Sequence, residues 1–240
     1  MVKENLIEFI LDPISLRRDV RAGMRKNFET YLNKDMTVYD VGCGDKPFAE
    51  FLSDKCKKYV GVDVEDGFYD ASYIDLIGTA YDVPIGEGEA DAIISCQVLE
   101  HLDRPLDAIK EKHRILKKDG ILFLSFPFMY PIHAAPVDFF RYTEFTAKKI
   151  MGDHGFKIID QKRIGGFWYA LGLFSGIYLK IIDRGILKKL KISLLVNMLV
   201  KWFFFILHKL EERAFKMADK DLSSIRRDWT VNYIIVAKKI

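Results

Sequence analysis

The sequence is poor in cysteine, with three in 240 residues, and their spacing fits neither a metal site nor a disulfide framework. The net charge of +3 is too small to point to a nucleic-acid partner. A secretion signal is not predicted either, because Glu8, Asp12 and Pro13 interrupt the first apolar segment. Together these absences predict a cytoplasmic protein with no metal and no nucleic acid.

A dinucleotide-binding turn also lacks one of its parts. Gly42 and Gly44 end a β-prone run where a side chain would block the turn or a ligand, but Pro47 stands at the third glycine position and has no N–H to donate. The turn is acidic, with Asp40 and Asp45, which disfavours a pyrophosphate. A ligand carrying ammonium and sulfonium groups, S-adenosylmethionine (SAM), suits it better. A tight turn that binds no ligand remains the alternative.

Apolar strands and amphipathic helices alternate beyond this turn, which predicts an open, mainly parallel sheet with its ligand at the carboxyl ends of the strands. The first strand ends at Asp40, and the later strands are predicted over 58–64, 71–77, 90–97, 121–126, from Phe156, and over 231–237. The helix before the fifth strand is predicted to stop at Asp119 and Gly120. Asp63 ends the second strand 19 residues after Gly44, a spacing at which a carboxylate binds ribose hydroxyls.

Three blocks carry a family resemblance, namely residues 40–44, 91–102 and 114–120. In this order and spacing they resemble the class I SAM-dependent methyltransferases, in the group with Val98-Leu99-Glu100-His101-Leu102 after strand four. The resemblance covers about 38–163 and resumes in the last strand. It implies a seven-stranded Rossmann-like α/β sheet with helices on both faces.

The resemblance also implies a set of cofactor-binding residues. These are Asp40, Gly42, Cys43, Gly44, Asp63, Val64, Thr79, Ala80, Cys96 and Gln97. Thr79 stands where the family often has an acid for the adenine amino group, so adenine recognition departs from the pattern there. Glu100 and His101 are expected to shape the rim of the pocket.

The proline-rich loop after strand five, residues 126–143, carries the candidate catalytic residues. His133 is predicted to be the general base, because its ordinary pKa lies near neutrality. Asp138 is expected to orient it or bind substrate hydroxyls, and Arg141 to bind a phosphate or carboxylate. The alternative is an Asp138–Arg141 ion pair that only braces the loop. The loop resembles methyltransferases of surface-polysaccharide and glycolipid pathways.

A long insertion separates the sixth and seventh strands. Residues 164–228 are rich in apolar and aromatic side chains, and 180–216 contains nine Lys or Arg against three Asp or Glu. The apolar run 192–207 is too short to span a bilayer and includes a polar stripe at Ser193, Asn197 and Lys201. We therefore predict helices that lie at a membrane surface. A buried helical pair or a homodimer interface is the alternative.

The sequence as a whole predicts four parts: an N-terminal helical lid (1–35), a SAM-binding core (36–163), the hydrophobic insertion (164–228) and the last core strand (229–240). The predicted function is O-methylation of a glycan or lipid-linked saccharide at the inner face of the cell membrane. The alternatives are methylation of an apolar or prenylated small molecule, and a binding protein that keeps the fold without turnover.

Overall fold

A computed structural model describes residues 6–65, 69–182, 193–217 and 228–240 of the chain. Two parts of the predicted insertion, 183–192 and 218–227, lie outside the described residues. Four of the basic residues noted above lie there: Arg184, Lys188, Lys189 and Lys191. The chain forms two compact units. Met1–Asp19 and Arg163–Val231 make the helical unit, and Val20–Lys162 and Asn232–Ile240 make the sheet unit.

Seven strands form one sheet in the order β3-β2-β1-β4-β5-β7-β6. They are β1 Thr37–Val41, β2 Lys58–Asp63, β3 Leu76–Ile77, β4 Ala90–Cys96, β5 Leu116–Pro127, β6 Phe156–Gly165 and β7 Thr230–Lys239. The pairs β1–β2, β1–β4, β2–β3 and β4–β5 are parallel, whereas β7 runs antiparallel to β5. The predicted seven-stranded α/β class is confirmed.

Seven helices alternate with or flank these strands in the described residues. They are α1 Leu6–Leu11, α2 Leu16–Tyr31, α3 Ala49–Leu52, α4 Pro105–Ile115, α5 Glu144–Asp153, α6 Phe167–Ile182 and α7 Ser193–Met217. Short 3-10 turns cover Ala71–Tyr73 and Leu99–His101. A helix, α7, thus lies between strands six and seven, as the insertion prediction requires.

Two predicted boundaries were wrong. The segment expected to be a seven-residue third strand contains a 3-10 turn, and only Leu76–Ile77 pairs with β2. The helix expected to run to Asp119 ends at Ile115, because Leu116 pairs with Ala90 of β4 and so begins β5. Sheet pairing overrides the helical pattern at this point.

The core of the sheet unit is built from apolar strands and from one face of α2. Val20, Met24 and Phe28 are buried at helical spacing, as their periodicity predicts. Phe28 lies edge-to-face on Phe48 and on Phe123 of β5, with ring centroids 5.1 and 5.0 Å apart. Central strands buried on both faces read as continuous apolar runs, and this is why β4 and β5 were recognisable.

The helical unit is held together by close packing of α6 on α7. Gly172 and Gly176 face α7 one helical turn apart. A Cβ at Gly172 would lie 2.7 Å from the Cβ of Phe204, and one at Gly176 would lie 2.1 Å from Cε of Lys201. These glycines let the two helices approach each other, as small residues do at helix contacts within membranes.

Helix α7 buries two polar side chains and exposes large apolar ones. Among residues 193–214, whose side chains are described, the two buried ones are Lys201 and His208. The Lys201 ammonium donates hydrogen bonds to Oδ1 of Asp12 at 2.6 Å and to the carbonyl of Ile14 at 3.3 Å. Six large apolar side chains of the helix are exposed, together with Lys209 and Arg213 near its C-terminal end: Leu194, Leu195, Leu199, Phe203, Ile206 and Leu210.

The apolar part of α7 is also longer than the sequence run suggested. Ser193–Ala214 forms 22 helical residues, and an 18-residue window within it has a mean hydropathy of 1.4 with 11% of its residues buried. By length and composition alone, this segment is sufficient to cross a membrane. It is the one such helix found among the described residues.

Candidate active site

The turn after β1 has the backbone that its glycines predict. Gly42 and Gly44 have φ of +83° and +51°, in the left-handed region that favours glycine. A Cβ at Gly42 would lie 2.4 Å from a methyl group of Val98. The Tyr69 ring lies over Gly44, 3.2 Å from the position of a Cβ there. Sequence reasoning did not single out Tyr69, because no motif marks it.

Asp40 lies beneath this turn and is fully buried. Its Oδ2 accepts a 2.5 Å hydrogen bond from the Tyr59 hydroxyl. In the part of the chain that the structure describes, its Oδ1 has no hydrogen-bond partner. Burial raises the pKa of Asp40 to about 7. A buried carboxylate with a spare acceptor beside a glycine turn fits a cationic ligand.

Asp63 closes the other side of the turn, at the end of β2. Its Oδ2 accepts the N–H of Gly44 and its Oδ1 accepts the N–H of Val64, both at 2.8 Å. These two bonds fix the carboxylate against the turn, and the remaining lone pairs can still accept from ribose hydroxyls. The predicted link between the glycine turn and this acid is therefore a direct contact.

The two thiols named among the cofactor residues differ in setting. Cys43 is buried, and its sulfur lies against Gly61, where a Cβ would be 2.8 Å away. Cys96 lies at the end of β4, 3.2 Å from the Ser125 hydroxyl. Burial raises the pKa of both thiols to about 12, so both are protonated at neutral pH.

Gln97 stands in a polar group that the sequence did not reveal. Its backbone has a φ of +58°, its Nε2 donates to the Ser125 hydroxyl at 2.9 Å, and its Oε1 accepts from Asn232 at 3.2 Å. Ser125 and Asn232 are fully buried on β5 and β7. Three strand ends thus hold one amide in place, and two of the residues involved were missed because they are distant in sequence.

The segment predicted to contact adenine forms a tight turn. The Thr79 hydroxyl accepts the N–H groups of Tyr81 and Asp82 at 3.2 and 3.0 Å. Its own hydrogen remains for donation, whereas the carboxylate that usually stands there in the family only accepts. Ala80 packs against the core. The departure from the family pattern is therefore a change from acceptor to donor.

The motif after β4 places an acid in the interior. Glu100 lies in the 3-10 turn Leu99–His101 and is 0% exposed. Burial raises its pKa to about 8. Its neighbour His101 is accessible, and Nδ1 of that ring lies 2.6 Å from the carbonyl of Val137.

The loop after β5 is tied to this motif. The N–H groups of Phe139 and Phe140 donate to the Glu100 carbonyl at 2.9 and 3.3 Å. The Tyr142 hydroxyl donates to the carbonyl of Leu99 at 3.3 Å. These backbone bonds fix the loop at the carboxyl edge of β4 and β5.

The three candidate catalytic residues lie together in that loop. Asp138 and Arg141 form a two-pronged ion pair with distances of 2.6 and 2.7 Å. Arg141 also donates to the carbonyls of Tyr130, Pro131 and Phe140. Hydrogen bonds from Arg141 hold the pKa of Asp138 well below its usual range. Arg141 therefore uses its hydrogen-bond donors on groups within the loop, so it stabilises the loop conformation.

His133 is positioned by the same acid. Its backbone N–H donates to Oδ2 of Asp138 at 2.9 Å, and Nδ1 of its ring lies 3.3 Å from that oxygen. Burial lowers the pKa of His133, so the ring is neutral at pH 7. The His133 ring meets the His101 ring edge-to-face, with centroids 4.8 Å apart. The structure thus brings the loop histidine onto the motif after β4.

Residues 39–124 match the family model of the methyltransferase domain. A curated protein of Mycolicibacterium smegmatis, "Probable S-adenosylmethionine-dependent methyltransferase", is 25% identical over 158 residues, which is 61% of this chain and 58% of that protein. A curated protein of Mycolicibacterium gilvum, "Uncharacterized methyltransferase", is 31% identical over 103 residues, or 39% of this chain and 40% of that protein. The chain thus spans about half the length of these relatives.

Solved structures share the fold. A SAM-dependent methyltransferase from Archaeoglobus fulgidus superimposes with a TM-score of 0.58 at 15% identity, covering 98% of both chains. The [4+2]-cyclase SpnF superimposes with the same score at 16% identity, covering 90% of this chain and 80% of that one. The family match and the curated relatives support a class I SAM-dependent methyltransferase domain and imply SAM as its cofactor.

Proposed function

We propose that this chain is a SAM-dependent methyltransferase that O-methylates a hydroxyl of a glycan or lipid-linked saccharide at the cytoplasmic face of a membrane. The observation that carries the proposal is the position of His133, held by Asp138 at the carboxyl edge of the sheet. This edge also carries the glycine turn and Asp63. A hydroxyl acceptor needs such a base, whereas a neutral nitrogen acceptor does not.

The cofactor half of the proposal rests on the turn after β1. Gly42 and Gly44 leave room for the ligand, Asp63 accepts from the ribose, and Asp40 offers a spare carboxyl oxygen beneath the turn. When bound, SAM supplies a methyl group on a sulfonium, which a nucleophile displaces in line. Hydrogen bonds to Ser125 and Asn232 fix the Gln97 amide, which can then hold the ligand's polar groups in one orientation.

The acceptor half rests on the loop. His133 takes the proton of the attacking hydroxyl, and Asp138 holds the ring in the position to do so. Arg141 acts as a positioning residue, because its N–H groups donate hydrogen bonds to Asp138 and to loop carbonyls. A general base contributes roughly 10²- to 10⁴-fold to such a step.

The test combines binding and transfer. Calorimetry with SAM, with NAD as the control ligand, measures cofactor binding, and Asp63→Ala is expected to weaken binding of SAM. Transfer of a labelled methyl group to a lipid-linked saccharide and to the free saccharide measures turnover. His133→Ala is expected to lower turnover about 100-fold or more with SAM affinity unchanged. The matched control is His154→Ala, outside the loop. Full turnover in His133→Ala would remove the base.

The membrane part of the proposal is supported by α7. A soluble helix hides its apolar residues and displays its charges, whereas α7 buries Lys201 and displays leucines along its length. The exposed residues Leu195, Leu199, Phe203 and Ile206 recur every three or four positions, so they share one face. An apolar face of this kind is typical of a helix in contact with lipid.

Flotation with phosphatidylcholine vesicles containing an anionic lipid tests this part. Leu199→Asp should lower the vesicle-bound fraction by about tenfold or more, since a buried leucine is worth about 1.5–3 kcal/mol. Leu106→Asp, on an exposed position of α4, is the matched control and should bind as the wild type does. Equal binding of all three proteins contradicts lipid contact through this face of α7, and absence of binding by the wild type contradicts a membrane role. Both results leave methyl transfer open.

A further inference from the structure

Three potential metal ligands converge where the loop meets the motif after β4. Glu100, His101 and His133 each offer one donor atom, and these atoms lie within 4.8 Å of one another. Oε1 of Glu100 and Nε2 of His101 are 3.8 Å apart. Donor atoms around one metal ion lie about 3 Å apart, so shifts of roughly 1 Å would complete a coordination sphere.

The carboxylate of Glu100 is the first sign of a missing ligand. It is 0% exposed, and within the described residues neither of its oxygens has a hydrogen-bond partner. Burying a carboxylate without partners is costly, and buried charges in proteins are paired or bound to metal. The nearest cationic candidate is the His101 ring at 3.8 Å, which is too far for a hydrogen bond.

The two histidines are already turned as metal ligands would be. Nδ1 of His101 lies 2.6 Å from the Val137 carbonyl, so the proton sits on Nδ1 and Nε2 keeps its lone pair. Nδ1 of His133 lies 3.3 Å from the Pro131 carbonyl and 3.3 Å from Oδ2 of Asp138, and these two acceptors favour the same tautomer over the one donor, Nη2 of Arg141, at 3.4 Å. Metal-binding histidines commonly donate their second ring N–H to a carbonyl or carboxylate.

We propose that Glu100, His101 and His133 bind a divalent transition-metal ion of the zinc class. Two imidazoles and one carboxylate suit such an ion, whereas Mg²⁺ and Ca²⁺ prefer oxygen ligands alone. Three protein ligands leave a coordination position open. Both histidines are partly accessible, with side chains 25% and 31% exposed, so an ion and one further ligand can reach the site.

The role of the ion rests on the proposed function. An acceptor hydroxyl in the open position would lose its proton to water more readily, because a bound cation lowers the pKa of a coordinated oxygen. In that state His133 acts by holding the ion and not as the free base. A saccharide acceptor carries several neighbouring hydroxyls, and one of them can occupy the open coordination position of the ion.

The binding test uses the full chain, stripped with a chelator and dialysed. Co²⁺, a coloured probe for zinc-class sites, is titrated while its visible absorption is recorded, and Zn²⁺ is titrated by calorimetry. One saturable ion per chain is expected. Glu100→Gln and His133→Ala should each weaken binding at least tenfold, since even outer-sphere partners contribute 10- to 100-fold. His154→Ala and His113→Ala are the matched histidine controls and should bind as the wild type does.

Glu100→Gln is also expected to fold, because it keeps the size of the side chain and replaces a buried carboxyl group that has no hydrogen-bond partner. Its thermal midpoint should no longer rise with Zn²⁺, whereas the wild-type midpoint should rise. Absence of a saturable cobalt spectrum, or binding that survives Glu100→Gln unchanged, overturns the proposal.

Methyl transfer is measured separately. Transfer that persists after chelation removes the catalytic role of the ion and keeps the methyltransferase proposal. Metal binding without any transfer would instead count against the proposed function alone.

Discussion

Strand β5 of the sheet unit and helix α7 of the helical unit use the same residue types in opposite ways. In β5, Phe123 is fully buried between aromatic neighbours and the charged residues Lys117, Lys118 and Asp119 are exposed. In the helical unit, α7 buries Lys201 and leaves Phe203 59% exposed. Buried apolar and exposed charged side chains are the pattern expected for a protein surrounded by water, since burial of apolar area drives folding. The opposite pattern is the one that the proposed contact of α7 with lipid requires.

Phe123→Ala should have the largest effect on stability. It removes a ring that packs edge-to-face on Phe28 and leaves a cavity in the core, which costs about 3–5 kcal/mol. Urea unfolding followed by tryptophan fluorescence and circular dichroism measures the loss. A cost below 1 kcal/mol would mean that the sheet core is not packed around this ring.

Asp40→Asn should remove a pH dependence of comparable size. With a folded pKa of about 7 against an ordinary 3.8, Asp40 stays protonated in the folded chain while the unfolded chain ionises. It therefore costs stability increasingly as the pH rises from about 4 to 7, on the order of 3 kcal/mol in all.

The variant, measured without SAM, should match the wild type near pH 4 and exceed it at pH 8. Because other carboxylates titrate in both proteins, the quantity to follow is the difference between the two unfolding free energies. A difference that does not change with pH would show that Asp40 is not the titrating group.

Asp12→Ala should have an intermediate effect in the helical unit. It leaves the Lys201 ammonium with one carbonyl acceptor. Breaking a fully buried pair costs about 3–5 kcal/mol, but the Asp12 side chain is 31% exposed, so about 2 kcal/mol is expected. Asp12→Ala combined with Lys201→Met should recover most of that loss in chemical denaturation. A double variant as unstable as the single one would contradict the pairing.

Phe203→Ala should have the smallest effect on stability and a clear effect on vesicle binding. Substitutions at exposed positions change the free energy of unfolding by about 0.5 kcal/mol or less. The same change as at Phe123 is therefore expected to be nearly silent in urea and to lower the fraction that floats with vesicles. A loss of more than 2 kcal/mol in urea would show that this side of α7 is packed.

Much of the sheet unit was open to prediction from local pattern. Glycine spacing and a following acid identified the turn after β1, because φ above zero and strand-end carboxylates have simple sequence requirements. The structure adds that Gly44 and Asp63 are in direct hydrogen-bond contact. The predicted end of α4 was wrong, because the helical pattern of the sequence continues past Leu116. In the structure, the pairing of Leu116 with Ala90 starts β5 there instead.

Other features of the site depend on residues far apart in the chain. Asn232 reaches Gln97 across 135 positions, and the loop carrying His133 joins Glu100 across more than 30. Nothing in the local sequence around Glu100 distinguishes a carboxylate at the rim of a pocket from one buried without partners. Only the packing of the loop on the 3-10 turn decides between them.

The sequence by itself determined the seven-stranded α/β class, the glycine turn, the acid at the end of β2 and the existence of a helical insertion, because periodicity and turn chemistry are local. The tertiary structure decided which way α7 faces and where its charges go. A helix with a narrow polar stripe can turn that stripe to solvent or to a partner. Asp12, 189 positions away, accepts a hydrogen bond from the ammonium of Lys201, and this contact turns the polar stripe toward a partner.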